Sequence, residues 1–330
     1  MRNKAIDIMK GILTIMMISC HLLYQTVQNP GLFNEYVNLT TFSGFLFCFG
    51  FVAYVAYFQK YDIPPVKKLI MGGVKTLFAY YASAFMLIFM LTSDYSFETL
   101  LNYLCQKRIA SYAEFLLSWA YLYFIILLLF PVLKKVIGNS IFMVLVIIMS
   151  LAATFIPYEQ LTIPWLGPII GMGYLDYFPL IQYISYFLIG AYMSKHKIVY
   201  SKYILISALI TNVLFINYLY QNSHFPRRWG VSLCWIIGGY LYVYIYYILS
   251  HMMEENIISH VLEFIGKNTL IILVCSNFFV FIGSKYNFVS LNVNKYFFYV
   301  IYWIITVGVC MFVAFLKNSL KRRLTRNKTN

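Results

Sequence analysis

Apolar residues in this chain fall into ten long runs, approximately 8–28, 40–59, 69–92, 114–133, 140–157, 177–194, 203–220, 231–250, 268–283 and 296–316, each bounded by polar residues, proline or glycine. That succession leaves few architectures open. A run of about 20 apolar residues is the length at which an α-helix crosses the hydrocarbon of a bilayer. Inside that hydrocarbon every backbone N–H and C=O must be satisfied within the span, which helices do and isolated strands do not. Composition points the same way, since 62% hydrophobic and 11% charged residues with a mean hydropathy of +0.74 lie well outside the range of soluble domains. The predicted fold is all-α, a polytopic membrane bundle of about ten transmembrane helices over residues 1–316, followed by a basic tail at 317–330. So little chain lies outside the runs that any chemistry must sit in the bundle itself.

Charge fixes the expected orientation. With the N-terminus inside, the segments 2–10, 60–75, 134–135, 195–202, 267 and 317–328 carry nineteen of the 25 Lys and Arg, against six on the other side. By the positive-inside rule both termini are cytoplasmic in a cell-membrane, multi-pass protein. The net charge of +14 is accounted for by those helix ends, so no nucleic-acid partner is implied; membrane lipids are. The six cysteines show no CxxC or zinc spacing, and neither a disulfide framework nor a metal site is expected. The first run continues past His21 without a small-x-small cleavage site and is expected to be retained as a span.

That first helix is also the most unusual. At about 100° per residue, Lys10 and His21 are separated by three turns plus about 20°, with Asp7 and Thr14 close to the same line. The four make one polar stripe on an apolar rod. Such a stripe either faces a bundle interior or aqueous cavity where it has a function, or it is interfacial, with Asp7 and Lys10 at the headgroups and His21 a satisfied core residue. Elsewhere, Ser43, Gly44 and Gly50 permit close helix approach, for packing or for a site. Lys75, one to two turns inside its run, either snorkels or meets an anion, with Lys67 and Lys68 above it. The segment QNSHFPRRWG places Arg227 and Arg228 beside Trp229 on the outer side, suited to a carboxylate or phosphate or to anchoring on lipid phosphates. In the long 157–177 loop, Trp165, Tyr174 and Tyr177 suit an interface or a saccharide platform.

Several of these residues resemble one family. Lys10-x10-His21, preceded by Asp7 and followed by Gly11, resembles the basic-x10-His signature of the acyltransferase-3 family, within the transmembrane acyltransferase superfamily. FSGFLF (42–47) is similar to that family's second-helix FLSGF motif, SWAYLYFIILLLFPVL (118–133) to its Trp-Phe-Leu span, and IGKNTLIILV (265–274) to its GxNSLxIYLxH segment. DYFPLIQYISYFLIG (176–190) also resembles the heparan-glucosaminide N-acetyltransferase branch. Two departures stand out. The third-helix RxxR is represented by Lys75 with Gly72 in the earlier basic position, where Lys68 or Lys67 could substitute, and Val274, Cys275 and Ser276 occupy the neighbourhood of the closing histidine.

The resemblance implies transfer of an acyl group, usually acetyl, from cytoplasmic acyl-coenzyme A to a hydroxyl of a cell-surface polysaccharide or its lipid-linked precursor. Acetyl-coenzyme A is then the donor, with no metal. His21 is the expected catalytic base, because a neutral imidazole can accept the hydroxyl proton near pH 7. Asp7 lies about 20 Å away along the axis, so no triad is expected. Lys10, Lys75, Lys68 and Ser43 are candidate donor contacts; Arg227, Arg228, Trp229, Asp176, Tyr177 and Trp119 are candidate acceptor contacts. The competing readings are a non-enzymatic permease or flippase for a lipid-linked or anionic substrate, and a sensory or scaffolding membrane protein. A transporter is disfavoured because no internal repeat or matched pair of broken helices is visible.

Overall fold

The computed structural model describes residues 3–27, 30–92, 94–173, 177–291 and 293–326. Its helices are α1 (Lys4–Thr26), α2 (Gly31–Ala53), α3 (Val66–Leu91), α4 (Phe97–Leu104), α5 (Glu114–Leu128), α6 (Phe130–Gly138), α7 (Ser140–Ala152), α8 (Gly167–Ile170), α9 (Leu180–Lys195), α10 (Lys202–Asn222), α11 (Leu233–Gly238), α12 (Tyr240–Met252), α13 (Ile257–Lys267), α14 (Thr269–Lys285) and α15 (Lys295–Arg326). No strand occurs among the described residues. Among the described residues six helices are long and apolar enough to cross a membrane, or up to eight if each of two bent pairs counts as one span. The molecule is a multi-pass helical membrane protein.

Local chemistry explains most of the boundaries. Asn3 caps α1 by accepting from the Ile6 amide at 3.1 Å, and Asn256 and Ser259 form a reciprocal capping box at the start of α13. The expected single helix 114–133 is broken: α5 and α6 meet at 86°, with Pro131 in the first turn of α6. Proline's missing N–H and its clash with the preceding turn are the physical reason. α13 and α14 meet at 85°, so the amphipathic segment before run 268–283 is a helix of its own. α7 and α9 are shorter than a full span, at 13 and 16 residues. The basic segment from 317, expected as a solvated tail, continues α15 to Arg326.

α1 is the hub, packed against α2, α12, α13, α14 and α15. In lipid there is little hydrophobic gain from helix association, so close backbone approach has to supply it. Two crossings achieve this through paired glycines. A side chain on Gly11 would overlap the Leu262 carbonyl and one on Gly266 the Asp7 carbonyl, which locks α1 to α13; Gly50 and Gly190 meet the backbone at Phe187 and Phe47 in the same way, locking α2 to α9. The polar stripe faces inward: Asp7 and Thr14 are buried. α10 and α15, by contrast, keep most of their apolar surface on the outside of the bundle, where lipid would solvate it.

Candidate active site

The last turns of α1 form one wall of a cavity of about 270 Å³, to which Cys20, His21 and Tyr24 contribute. α2 begins nine residues earlier than its apolar run, and that polar first part supplies Asn34 and Asn38, with Thr41 following at the start of the run. The loop before α5 adds Ser111 and Tyr112, α5 itself Glu114 and Phe115, and the loops before α9 and α11 add Phe178, Arg228 and Trp229.

His21 is partly exposed to this cavity. Its ring meets the Tyr112 ring edge-on at 4.8 Å between centroids. Tyr112 has a φ of 65°, a left-handed conformation costly for an aromatic residue. A buried hydrogen-bond chain holds it there. Gln25, one turn beyond His21, donates through Nε2 to the Tyr112 hydroxyl at 2.7 Å and accepts through Oε1 from Ser284 of α14 at 2.8 Å. Gly283 leaves room for the Gln25 side chain. Neither imidazole nitrogen of His21 is hydrogen-bonded among the described residues, and the ring packs against Tyr112. Cys20 donates to Asn34 Oδ1 at 2.9 Å, tying α1 to α2 at the cavity edge.

Arg228 and Arg227 part company. The Arg228 guanidinium carbon lies 4.3 Å from the Trp229 ring centre and 5.1 Å from that of Phe178, a cation–π arrangement, and Phe178 and Trp229 pack edge-to-face at 5.2 Å. Arg227 is exposed and off the cavity wall. Arg228 is the one Lys or Arg on that wall among the described residues. Glu114 lines it as well and is engaged in an interaction of its own.

The other candidates lie elsewhere. Tyr177 is buried and donates to the carbonyls of Gln106 and Pro164, at 3.2 and 2.9 Å, fixing the two loops together. Trp119 is buried against Phe45 and Phe115, behind the wall, and its indole N–H has no partner among the described residues. Asp176 lies outside the described residues. Ser43 is buried and donates to the Leu39 carbonyl of its own helix at 3.2 Å.

At the opposite end of α1, Lys10 pairs with the buried Asp7 at 2.6 Å, while Thr14 donates to the Lys10 carbonyl at 2.7 Å and to Thr269 of α14 at 3.4 Å. The lower half of the stripe is thus an internal ion pair and hydrogen-bond ladder. Lys68 is exposed and bonded to the Tyr61 hydroxyl at 2.5 Å. Lys75 is exposed on α3 and shares with Lys317 of α15 an otherwise apolar groove of about 700 Å³, walled by α3, α14 and α15. Neither lysine has an acidic partner among the described residues.

A polar cavity lined by a histidine, an arginine and an aromatic shelf thus lies apart from a groove that holds a pair of lysines. A family model described as an acyltransferase domain matches residues 3–317, nearly the whole chain. The chain belongs to the acyltransferase-3 family. As a member of that family it is a membrane acyltransferase. No match was found among curated proteins or among solved structures. No cluster of His, Cys, Asp and Glu suited to a metal occurs among the described residues.

Sequence reasoning missed Gln25, Tyr112, Glu114, Asn34, Asn38 and Lys317. Gln25 had a visible signal in this acyltransferase, as a glutamine four residues after His21 on the same helical face. Tyr112 had none, because its role rests on a backbone conformation that only the folded loop imposes.

Proposed function

We propose that this acyltransferase moves an acetyl group from cytoplasmic acetyl-coenzyme A to a hydroxyl of a cell-surface polysaccharide or its lipid-linked precursor, at the plasma membrane. The observation that carries the proposal is that His21, Arg228 and Trp229, distant in sequence, line one cavity with several hydroxyl and amide groups. An aromatic shelf beside hydrogen-bonding side chains suits a sugar ring. In this reading His21 takes the proton of the acceptor hydroxyl as its oxygen attacks the thioester carbonyl. A C–O bond forms and the C–S bond breaks. The departing thiolate recovers the proton from the imidazolium. Neutral imidazole is the starting form, as the ordinary histidine pKa near 6.5 provides at neutral pH.

The donor's phosphates need cations that are not already paired. Lys10 is committed to Asp7, whereas Lys75 and Lys317 flank one groove, so these two are the better phosphate contacts, Lys317 standing in for the basic residue absent at Gly72. An even number of crossings with both termini cytoplasmic would put that groove inside and the His21 cavity outside. The family leaves the permease reading without support of its own.

The test uses purified protein in lipid nanodiscs with acetyl-coenzyme A labelled in the acetyl group. Label should move to added cell-surface glycan extract, with free coenzyme A released in step, and both should be lost in His21→Ala. Coenzyme A release that is indifferent to glycan contradicts the acceptor class. Undiminished transfer in His21→Ala contradicts the base.

A further inference from the structure

Arg228 is held in an unusual way. Its guanidinium sits against both Trp229 and Phe178, its Nε–H is buried without an acceptor, and it makes no ion pair among the described residues. A cation drawn partly out of water without a counter-charge costs free energy that a matching anion returns. Rings against the guanidinium leave its in-plane edge as the hydrogen-bonding face, and that edge pairs best with a planar or tetrahedral oxyanion. The cavity is too small for a drug-sized ligand, at about 270 Å³ against roughly 300–1,000 Å³, and so takes about one sugar unit.

We propose that the acceptor is an acidic sugar, whose carboxylate pairs with Arg228 while its ring lies along Trp229 and presents a hydroxyl to His21. This rests on the acyl-acceptor reading above and narrows it to uronate-type acceptors. Arg228 is the one Lys or Arg on the wall among the described residues and balances a monoanion, whereas a phosphate dianion would be left undercompensated. A lipid phosphate is the better partner for Arg227, which is exposed and does not line the cavity.

Binding of free sugars to the full chain in nanodiscs tests this without any donor. Sodium glucuronate, glucose and glucose 6-phosphate are titrated at constant ionic strength, and bound sugar is read by saturation-transfer NMR. Glucuronate should bind more tightly than glucose by at least about tenfold, the scale of a charge-assisted pair. Arg228→Gln should abolish that difference, and Arg227→Gln should keep it. Equal binding of glucose and glucuronate, binding of none of the three, or preference for glucose 6-phosphate overturns the proposal from the unmodified protein alone, whatever the variants do. Wild-type glucuronate binding in Arg228→Gln overturns it too. Failure of the acyl-transfer reading would show separately, as no transfer of labelled acetyl to glycan by the unmodified protein with this binding pattern intact.

Discussion

Gln25→Met replaces an amide by an apolar side chain of similar length and removes the link that fixes Tyr112 against His21. Two hydrogen bonds disappear, to Tyr112 at 2.7 Å and from Ser284 at 2.8 Å, each contributing about 0.6–1 kcal/mol. The Tyr112 hydroxyl loses its hydrogen-bond partner among the described residues, which adds about 1–3 kcal/mol if it stays buried. Part of that cost is avoided if Tyr112 relaxes from its φ of 65°, and relaxation carries its ring away from the imidazole. The expected loss of stability is therefore about 2–3 kcal/mol. A loss of at least about tenfold in kcat accompanies it, with KM for acetyl-coenzyme A nearly unchanged, because tenfold corresponds to only about 1.4 kcal/mol of positioning. Coenzyme A release in nanodiscs reads the rate, and a thermal-unfolding midpoint reads the stability. Tyr112→Phe should show the same kcat-selective loss, and the double variant should fall short of the sum. A Gln25→Met protein with wild-type kcat and unfolding midpoint would show that Gln25 does not hold Tyr112 against His21.

Other consequences follow from the packing. Lys10→Ala removes one ion pair from the buried Asp7 and should lower the folded yield in a detergent thermal-shift assay; Asp7→Asn in that background should recover part of it. Gly50→Leu drives a side chain into the Phe187 backbone and should abolish recovery of monodisperse protein by size-exclusion chromatography, whereas Gly138→Ala, where nothing lies within reach, should not. In the loop before α4, the Thr99 hydroxyl and then the Ser96 amide hold the Asp94 carboxyl down at about 2. A depressed carboxyl pKa stabilises above the ordinary value of 3.8 and is lost as pH falls toward 2, so amide protection across 97–100 should be equal at pH 7 and 5 and weaker at pH 3.

Much of this architecture was legible because the bilayer imposes a strong rule on composition. The runs at 8–28, 69–92, 203–220 and 268–283 correspond closely to α1, α3, α10 and α14, since an uninterrupted apolar helix announces its own length. What failed were breaks and extensions decided locally. Pro131 turned one run into two helices, and α13 was overlooked because its 11 residues alternate polar and apolar faces and never reach span length. α2 starts early because Asn34 and Asn38 point into a polar cavity rather than into lipid, a fact no hydropathy pattern contains.

The site was legible only where it lay on one helix. Helical periodicity put Asp7, Lys10, Thr14 and His21 on one face, and the buried ladder at its lower end agrees. Periodicity could not say that Lys10 is consumed by Asp7, nor choose between Arg227 and Arg228, which are equivalent in sequence and differ only in how the loop before α11 folds over Phe178. Lys75 and Lys317 meet across 242 residues of chain, beyond the reach of any local pattern.

If His21 is the base of the acyl transfer, mass spectrometry of surface glycans will show its loss. Cells making the wild-type chain should show sugar units heavier by one acetyl group, and cells making His21→Ala, at equal abundance of the protein in the membrane, should show none. Acetylated glycans in the His21→Ala cells would contradict the account.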